Sequence, residues 1–314
     1  MRRLHNLGLL CSSLVWGILM SLPAHAQAVD SGWATVALTA AQQLDIRART
    51  TGYPYRILMS VPDAPAPKQG YPVLYVLDGN AAFPVAAFLA RSVASRRDVT
   101  GHQPPLVVGI GYPGDRDFDV AARQRDYTPG AQSPHPPATE GGADHFLDFI
   151  DREVKPMVAA RYPIDSQRQA LFGHSFGGLL ALHALLTRPT SFSTYLLSSP
   201  SIWWQDKRVL AGWPNLVRSA ARPRVQISVG TLEDDPPKGN YPPEVRALWA
   251  QRPMVMPARH LAHQLRELPG WSDANTVYYE LAGENHGPAW LPAMTRGMQF
   301  FMEQAPSHSV AATP

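Results

Sequence analysis

Cysteine is almost absent from this chain. The single cysteine among 314 residues is Cys11, which lies in an N-terminal segment with the features of an export signal. Beyond that segment the chain can form no disulfide with itself and has no thiol that could serve as a nucleophile. It also lacks the thiolate ligands that most structural zinc sites use.

Other signatures are missing as well. The sequence contains no Gly-x-Gly-x-x-Gly fingerprint, no phosphate-binding P-loop and no His-Glu-x-x-His zinc motif. Charged residues make up only 17% of the chain, and no basic block of the kind that binds nucleic acid stands out. The formal net charge is +3, and Arg2 and Arg3 in the N-terminal segment supply two of those charges. We therefore expect no cofactor, no resident metal ion and no nucleic-acid partner.

The N-terminus has the pattern of a secretory signal peptide. Arg2 and Arg3 precede an apolar run over residues 7–22, and Ala24-His25-Ala26 supplies a small-residue cleavage site. A transmembrane anchor is the alternative, but the run is short for a bilayer span and ends at Pro23. We predict cleavage after Ala26 and export, with no membrane anchor on the mature chain.

Strand and helix patterns alternate along the rest of the chain. Residues 42–62 read as an antiparallel hairpin, and later strands are predicted at 71–77, 105–111, 169–172, 195–197, 224–229 and 276–281. Helices are predicted at 83–97, 142–161, 178–186, 257–268 and 289–303. This alternation predicts an α/β fold of the α/β-hydrolase type, with a mainly parallel central sheet, an antiparallel N-terminal hairpin and helices on both faces.

The predicted domain organisation is simple. We expect one domain over residues 27–314, interrupted by insertions at about 112–141 and 232–256. Both insertions are rich in proline and in polar or aromatic residues. Because loops at the carboxyl ends of parallel strands build the pockets of such folds, we expect the insertions to shape the site.

The segment Gly173-His-Ser-Phe-Gly177 matches the G-x-S-x-G nucleophile elbow. A predicted strand ends just before it and an apolar helix follows. A strand, a tight turn and a helix in this order place a serine hydroxyl at a strained tip above helical N–H groups. The alternative is a plain strand-to-helix turn. The flanking elements favour Ser175 as a nucleophile.

A serine nucleophile needs a base, and in this fold the acid and then the histidine follow the serine along the chain. His286 follows the last predicted strand in a turn sequence, Gly283-Glu-Asn-His-Gly-Pro288, and we predict it as the base. The other downstream histidines lie on predicted helices or in the C-terminal tail, where packing or solvation is expected: His183, His260, His263 and His308.

The acid is expected after the strand at 224–229. Three carboxylates compete there. Glu233 lies three residues beyond Gly230 and is favoured, Asp234 is the main alternative, and Asp235 is the third candidate. The carboxylate would fix the tautomer of the imidazole and stabilise the imidazolium.

The oxyanion of a tetrahedral intermediate needs N–H donors that are already in place. We expect one from the backbone of Phe176, directly after the nucleophile, and a second from the backbone of Asn80, in the loop after the strand at 71–77. For the neighbouring Asp78-Gly79 pair, the alternative is an ordinary strand-ending turn.

Taken together, several motifs resemble one family. They are Tyr71-Pro-Val-Leu-Tyr-Val-Leu-Asp-Gly-Asn80, Arg125-Asp-Tyr-Thr-Pro129, Gly141-Gly-Ala-Asp144, the elbow, Ser199-Pro-Ser-Ile-Trp-Trp204 and Gly283-Glu-Asn-His-Gly287. In this combination and order, over most of residues 35–304, the chain resembles the esterase D-like family that includes the periplasmic enterobactin and salmochelin esterases of Gram-negative bacteria. Thr231 departs from the family pattern, which more often has an acidic residue there.

The resemblance implies a periplasmic serine esterase that forms an acyl-enzyme and cuts a cyclic triester of catecholoyl-serine, free or iron-loaded. Such a ligand is aromatic and, with iron, anionic, so it suits aromatic and guanidinium contacts. The implied contacts are Trp203, Trp204, Arg125 and Tyr127. An Arg125–Asp126 ion pair and tryptophans in the core are the alternatives.

Other functions are compatible with the same family. The broader group implies a general carboxylesterase, a thioesterase or an acyltransferase, for example of the feruloyl type. The alternative that is not an enzyme is a siderophore-binding protein of the same fold. A siderophore receptor or binding protein would be the protein partner.

Overall fold

A computed structural model of the protein describes residues 37–130, 139–236 and 238–303. The predicted signal peptide, Cys11 and His308 lie outside these ranges. The elements described below belong to one compact unit that begins at Leu38.

Eight strands form one sheet. They are β1 (Ala41–Arg47), β2 (Pro54–Ser60), β3 (Tyr71–Leu77), β4 (Leu106–Gly111), β5 (Ile164–His174), β6 (Thr194–Ser198), β7 (Arg224–Gly230) and β8 (Thr276–Leu281). Their spatial order is β1-β2-β4-β3-β5-β6-β7-β8. β2 pairs antiparallel with β1 and with β4, whereas the remaining pairs are parallel. The predicted α/β fold, with a mainly parallel sheet and an antiparallel opening hairpin, is confirmed.

The central strands are buried on both faces. Along β3 the side chains alternate, so that Val73, Tyr75 and Leu77 enter one hydrophobic cluster while Leu74 and Val76 enter the other. All five are at most 1% exposed. Each large apolar side chain buried in this way contributes about 1.5–3 kcal/mol of hydrophobic stabilisation. This explains why the strand reads as an uninterrupted apolar run.

Helices cover the two faces of the sheet. They are α1 (Gly79–Ala94), α2 (Arg97–Thr100), α3 (Val120–Tyr127), α4 (Ala143–Phe149), α5 (Lys155–Arg161), α6 (Phe176–Thr187), α7 (Trp204–Lys207), α8 (Trp213–Arg218), α9 (Pro243–Ala250), α10 (Val255–Arg266) and α11 (Trp290–Met302). A π-helical turn over Ile150–Val154 joins α4 to α5, and a 3₁₀ turn over Arg208–Gly212 precedes α8. The helix α1 and the helix α11 pack on one face of the sheet, and α4, α6 and α10 pack on the other.

The predicted elements differ from the observed ones mainly at polar or short segments. The strand β5 begins at Ile164, five residues before its predicted start. Its first half is polar and partly exposed, so the apolar run marked only its second half. The helix α1 begins at Gly79, directly after Asp78 in a left-handed conformation. The short helices α3 and α9 lie inside the two insertions and were not predicted, since neither presents a long apolar stripe.

The topology brings several loops to one edge of the sheet. The strands β5, β6, β7 and β8 are parallel neighbours, so the loops at their carboxyl ends lie side by side. Those loops carry Ser175, Ser199, Glu233 and His286. Among the residues that the structure describes, no helix has the length and apolar character that crossing a bilayer requires.

Candidate active site

The turn at Ser175 is strained. The strand β5 ends at His174 and the helix α6 begins at Phe176, so one residue makes the turn. Its φ of 60° and ψ of −116° lie outside the regions that non-glycine residues favour, at a cost of about 1–3 kcal/mol. A Cβ at Gly173 would collide with the carbonyl oxygen of Gly177, so only glycine fits there. The backbone thus holds the serine hydroxyl at the tip, as the elbow pattern predicts.

The three residues predicted to act together are hydrogen-bonded in a line. The Nε2 atom of His286 lies 3.0 Å from the Oγ atom of Ser175. The Nδ1 atom of the same ring lies 2.7 Å from Oε2 of Glu233. His286 is half-buried, whereas the side chain of Glu233 has 0% exposure. A hydroxyl, an imidazole and a buried carboxylate in this order can pass the serine proton to the imidazole.

Two donors fix the orientation of the Glu233 carboxylate. Its Oε1 atom accepts hydrogen bonds from the Ser199 hydroxyl at 2.5 Å and from the Gly230 N–H at 2.6 Å. Because Oε1 is held by these donors, Oε2 is left to face His286. Ser199 begins the motif Ser199-Pro-Ser-Ile-Trp-Trp204 but was not predicted as a site residue, since its contact with Glu233 joins two loops that are 34 residues apart in sequence.

The other two candidate acids point elsewhere. The Asp234 carboxylate accepts the backbone N–H groups of Met254 at 2.6 Å and of Val255 at 3.2 Å, and so holds the start of α10. Asp235 is exposed. Thr231, the departure from the family pattern, accepts the Gly283 N–H at 3.0 Å through its hydroxyl oxygen and ties the β7 loop to the loop of His286.

A cavity of about 480 Å³ opens over Ser175. Its walls combine aromatic, cationic and polar side chains: Arg123, Gln124, Ser175, Phe176, Ser201, Trp203, Trp204, Glu233, Trp249, Arg252, Met254 and His286. The two tryptophans predicted as substrate contacts, Trp203 and Trp204, therefore face the nucleophile. Their ring centroids lie 6.1 and 5.1 Å from that of Phe176, so the three rings form one aromatic wall.

The second insertion closes the cavity from the other side. Trp249 lies at the end of α9, and Arg252 follows it. The guanidinium carbon of Arg252 lies 4.7 Å from the centroid of the Trp203 ring, a cation–π contact. Neither residue was predicted, because the helix that places them was not.

The predicted contacts Arg125 and Tyr127 require correction. Arg125 donates two hydrogen bonds to Asp126, at 2.7 and 2.8 Å, and its guanidinium lies 3.8 Å above the ring of Tyr53. The structural ion pair was therefore the right alternative. Tyr127 has 0% exposure, and its hydroxyl accepts the backbone N–H of Asp78 at 3.1 Å. Neither residue lines the cavity.

Arg123 occupies the place expected of Arg125. Two residues along a helix turn the side chain by about 200°, so Arg123 and Arg125 project from opposite sides of α3. Arg123 lines the cavity, and its Nε–H donates to the buried carboxylate of Asp78 at 2.6 Å. The cavity therefore has one arginine held by a carboxylate and one, Arg252, stacked on an aromatic ring.

The two predicted oxyanion donors lie in the first turns of two different helices, Asn80 in α1 and Phe176 in α6. The first N–H groups of a helix have no acceptor within it, which leaves those of Phe176 and Asn80 without a helical partner. Phe176 lines the cavity, but Asn80 does not. The Asn80 carboxamide exchanges two hydrogen bonds with the backbone of Tyr112, both 3.0 Å long. The oxyanion role of both N–H groups stays a prediction.

The remaining histidines have other surroundings. His183 is buried and hydrogen-bonds through Nε2 to Asp144 at 3.0 Å, while His260 and His263 are exposed on α10. Over the described ranges, no group of three or more histidine, cysteine, aspartate or glutamate residues is arranged to hold a metal ion.

His174 gives the folded state a pH dependence. Its ring centroid lies 4.8 Å from that of His286, and its Nδ1 atom lies 3.0 Å from the Ser198 hydroxyl. Burial, the His286 ring and the Arg123 guanidinium together hold the pKa of His174 well below that of a free imidazole. The folded protein therefore keeps this ring neutral, while the unfolded chain takes up a proton below about pH 6.5.

The stability contributed by neutral His174 is consequently complete above about pH 6.5 and is lost as the pH falls. Between pH 7.5 and pH 5.5 we expect wild type to lose about 1.4 kcal/mol more unfolding free energy than His174→Asn, whose carboxamide can still bond to Ser198. Urea unfolding at the two pH values measures the difference. Equal losses in the two proteins would show that His174 titrates normally.

Comparisons with known proteins agree with this geometry. The model of an esterase family, described as "Putative esterase", matches residues 48–301. The chain is 35% identical over 275 residues to the siderophore triacetylfusarinine C esterase of Aspergillus fumigatus, covering 82% of this chain and 91% of that protein. It is 43% identical over 164 residues to the ferri-bacillibactin esterase BesA of Bacillus subtilis, covering 50% of this chain and 56% of that protein. The solved structure of siderophore hydrolase EstB from Aspergillus nidulans superposes with a TM-score of 0.74 at 31% identity, covering 87% of this chain and 98% of that one.

Proposed function

This chain belongs to that esterase family and is a carboxylic ester hydrolase, and from this premise we propose that it is a serine esterase of catecholate siderophores such as ferric enterobactin. The observation that carries the proposal is the hydrogen-bonded line from Glu233 through His286 to Ser175, beneath a cavity with tryptophan and arginine walls. The printed names of the relatives, a triacetylfusarinine C esterase and a ferri-bacillibactin esterase, support a siderophore as the substrate class.

The proposed reaction begins with attack of the Ser175 oxygen on the ester carbonyl. His286 accepts the serine proton at Nε2, and the Glu233 carboxylate stabilises the resulting imidazolium through Nδ1–H. The tetrahedral intermediate collapses when the ester C–O bond breaks, and Nε2–H of His286 protonates the departing alkoxide. Water then attacks the acyl carbon while His286 takes a proton from it, and His286 passes that proton to the Ser175 oxygen as the acyl–oxygen bond breaks and the acid leaves.

We assign the developing oxyanion to the backbone N–H groups of Phe176 and Asn80. Both belong to the first turn of a helix, where the dipole also favours negative charge. The aromatic wall of Phe176, Trp203 and Trp204 would stack on catechol rings, and Arg252 would face the negative charge of the ferric complex. On the sequence of residues 1–26, we place this reaction in the periplasm.

Two substrates distinguish the proposal from its alternatives. Ferric enterobactin and a p-nitrophenyl ester are each incubated with the wild-type protein, and kcat/KM is measured for both. We expect turnover of both, with the larger kcat/KM for the siderophore. Turnover of the nitrophenyl ester alone would indicate a general carboxylesterase, and siderophore binding without turnover of either ester would indicate a binding protein.

Arg252→Gln tests the contribution of positive charge to recognition. The substitution removes the cation above Trp203, so we expect kcat/KM for ferric enterobactin to fall about fivefold, as one partly exposed charge contributes about 1 kcal/mol. The neutral nitrophenyl ester should change less than about twofold. Arg218→Gln, the same change on an exposed residue outside the cavity, is the control. An equal fall in kcat/KM for both substrates would show that Arg252 does not recognise the charge of the siderophore.

A further inference from the structure

The imidazole of His174 is a polar group beside the active site for which the proposed reaction has no role. His174 directly precedes Ser175, and its ring centroid lies 4.8 Å from that of His286. It does not line the cavity over Ser175. It lines a separate cavity of about 10 Å³, which has room for about one water molecule and for no part of a substrate. Any effect of His174 on the reaction must therefore act through another residue.

His174 is held by the central part of the sheet. It ends β5, and its Cα is paired with that of Ser198 at the end of β6. Its Nδ1 atom lies 3.0 Å from the hydroxyl of Ser198, a residue that is only 1% exposed. Two central strands and a buried hydroxyl therefore fix the position of the His174 ring.

His286 has less support from its own segment. It lies in the loop between β8 and α11. Its two side-chain hydrogen bonds, from Nε2 to Ser175 and from Nδ1 to Glu233, are both made at ring nitrogens. A ring held at two atoms can still turn about the line that joins them. Contact with the His174 ring, at an angle of 36° between the two planes, restricts that turn.

The His174 ring also bonds to the backbone of His286. Burial lowers the pKa of His174, whereas a hydrogen bond to the backbone of His286 acts in the opposite direction. A bond that raises the pKa of an imidazole is one in which a ring N–H donates to a carbonyl oxygen. A neutral ring has one donor and one acceptor. The Ser198 hydroxyl therefore donates to Nδ1, and Nε2–H of His174 is the donor for the His286 carbonyl.

We propose that His174 is a positioning residue for the catalytic base. Its ring packs against the ring of His286, and its Nε2–H holds the backbone carbonyl of the same residue, so that Nε2 of His286 stays in line with the Ser175 oxygen. The inference rests on the proposed serine esterase function and adds a second histidine, one that touches no substrate. Its loss should impair proton transfer and spare binding, because the bond that loses its alignment joins His286 to Ser175.

Two substitutions at His174 separate its two hydrogen bonds. The amide nitrogen of asparagine is as many bonds from the backbone as Nδ1, and that of glutamine as many as Nε2. His174→Asn therefore keeps the bond to Ser198 and loses the contact with His286, while His174→Gln keeps a donor for the His286 carbonyl. With a p-nitrophenyl ester, we expect kcat of His174→Asn to fall about tenfold or more while KM stays within about twofold. His174→Gln should keep kcat within about threefold of wild type.

His183→Asn is the matched control. His183 is also a buried histidine, its Nε2 atom lies 3.0 Å from Asp144, and it does not line the cavity. Its kcat should stay within about twofold of wild type. Urea unfolding of the variants shows that each is folded. A loss of kcat that followed only from removing a buried imidazole would occur in this control as well.

A proton signal reports the same geometry without turnover. Nδ1–H of His286 faces the Glu233 carboxylate across 2.7 Å, and such a short charge-assisted hydrogen bond shifts the proton resonance downfield. The signal is assigned by its absence from Glu233→Gln. We expect it to shift in His174→Asn and to stay in place in His183→Asn. A merely structural role of His174 would leave it in place in both variants.

Each outcome decides the assignment. If His174→Asn does not fold, Ser198→Ala replaces it and frees the ring from its hydroxyl partner; its kcat should fall about threefold at unchanged KM. A kcat of His174→Asn, or of Ser198→Ala in its place, equal to that of wild type would overturn the assignment, as would an equal fall in His183→Asn or an unshifted proton signal. A wild-type protein that cleaves the nitrophenyl ester but leaves ferric enterobactin intact would instead contradict the siderophore function, so the two failures are distinguishable.

Discussion

Replacing Ser175 by alanine is expected to lower kcat for ferric enterobactin by about four to six orders of magnitude. The variant loses the atom that attacks the carbonyl, and the residual rate comes from the oxyanion donors and from binding alone. The substitution removes only Oγ, which lies at the tip of the turn between β5 and α6. The affinity for the siderophore should therefore change by less than about threefold.

The neighbouring hydroxyl of Ser201 provides the control. Its Oγ atom lies only 3.5 Å from that of Ser175, but it is Ser175 that is hydrogen-bonded to His286. Ser201→Ala should keep kcat within about tenfold of wild type. Steady-state kinetics and a binding titration on both variants measure these effects. More than about 1% residual kcat in Ser175→Ala would mean that another group attacks the ester.

Glu233→Gln is expected to give the second-largest loss, about three to four orders of magnitude in kcat. The glutamine carbonyl can still accept from Ser199 and Gly230 in place of Oε1. Its NH₂ group then faces Nδ1 of His286 and donates to it. The imidazole must carry its proton on Nε2, and in that tautomer it cannot accept the proton of Ser175.

The adjacent Asp234→Asn makes the same change of charge away from His286. Asp234 holds the N–H groups at the start of α10, so the variant should lose less than about 1 kcal/mol of unfolding free energy and keep its kcat. Kinetics and urea unfolding of the two variants separate the roles. A greater loss of kcat in Asp234→Asn than in Glu233→Gln would show that Asp234, and not Glu233, is the acid that acts with His286.

The parts of the site that were predicted from sequence are those with local patterns. The elbow at Ser175 combines an apolar strand, two glycines and an apolar helix, which are all visible within a dozen residues. His286 could be selected because the order of elements along the chain leaves one histidine directly after the last strand. Both depend on short-range patterns and on topology, which an α/β sequence displays clearly.

The parts that were missed depend on the rotation of short helices. Arg123 and Arg125 differ by two positions, so only the orientation of α3 decides which of them reaches the cavity. That helix is eight residues long and mostly polar, and its periodicity is too weak to show its buried side. The helix α9, which positions Trp249, is also only eight residues long and has no buried residue, so its sequence carries no core-facing stripe.

The choice among three acids required long-range contacts. Glu233 differs from Asp234 and Asp235 in its partners, because the hydroxyl of Ser199 comes from the loop after β6 and the N–H of Gly230 from the end of β7. The Gly230 contact is local, but the contacts of Glu233 with Ser199 and with His286 join residues 34 and 53 positions apart and have no local pattern. The favoured position three residues past Gly230 was a regularity of the fold, and the hydrogen bonds supply its physical reason.

The most direct test of the account is chromatography with mass detection of ferric enterobactin after incubation with the wild-type protein and with Ser175→Ala. We expect linear catecholoyl-serine oligomers and monomer from wild type, and the intact trilactone from the variant. An intact trilactone after incubation with the wild-type protein would contradict the siderophore esterase function. The same products from both proteins would contradict Ser175 as the nucleophile.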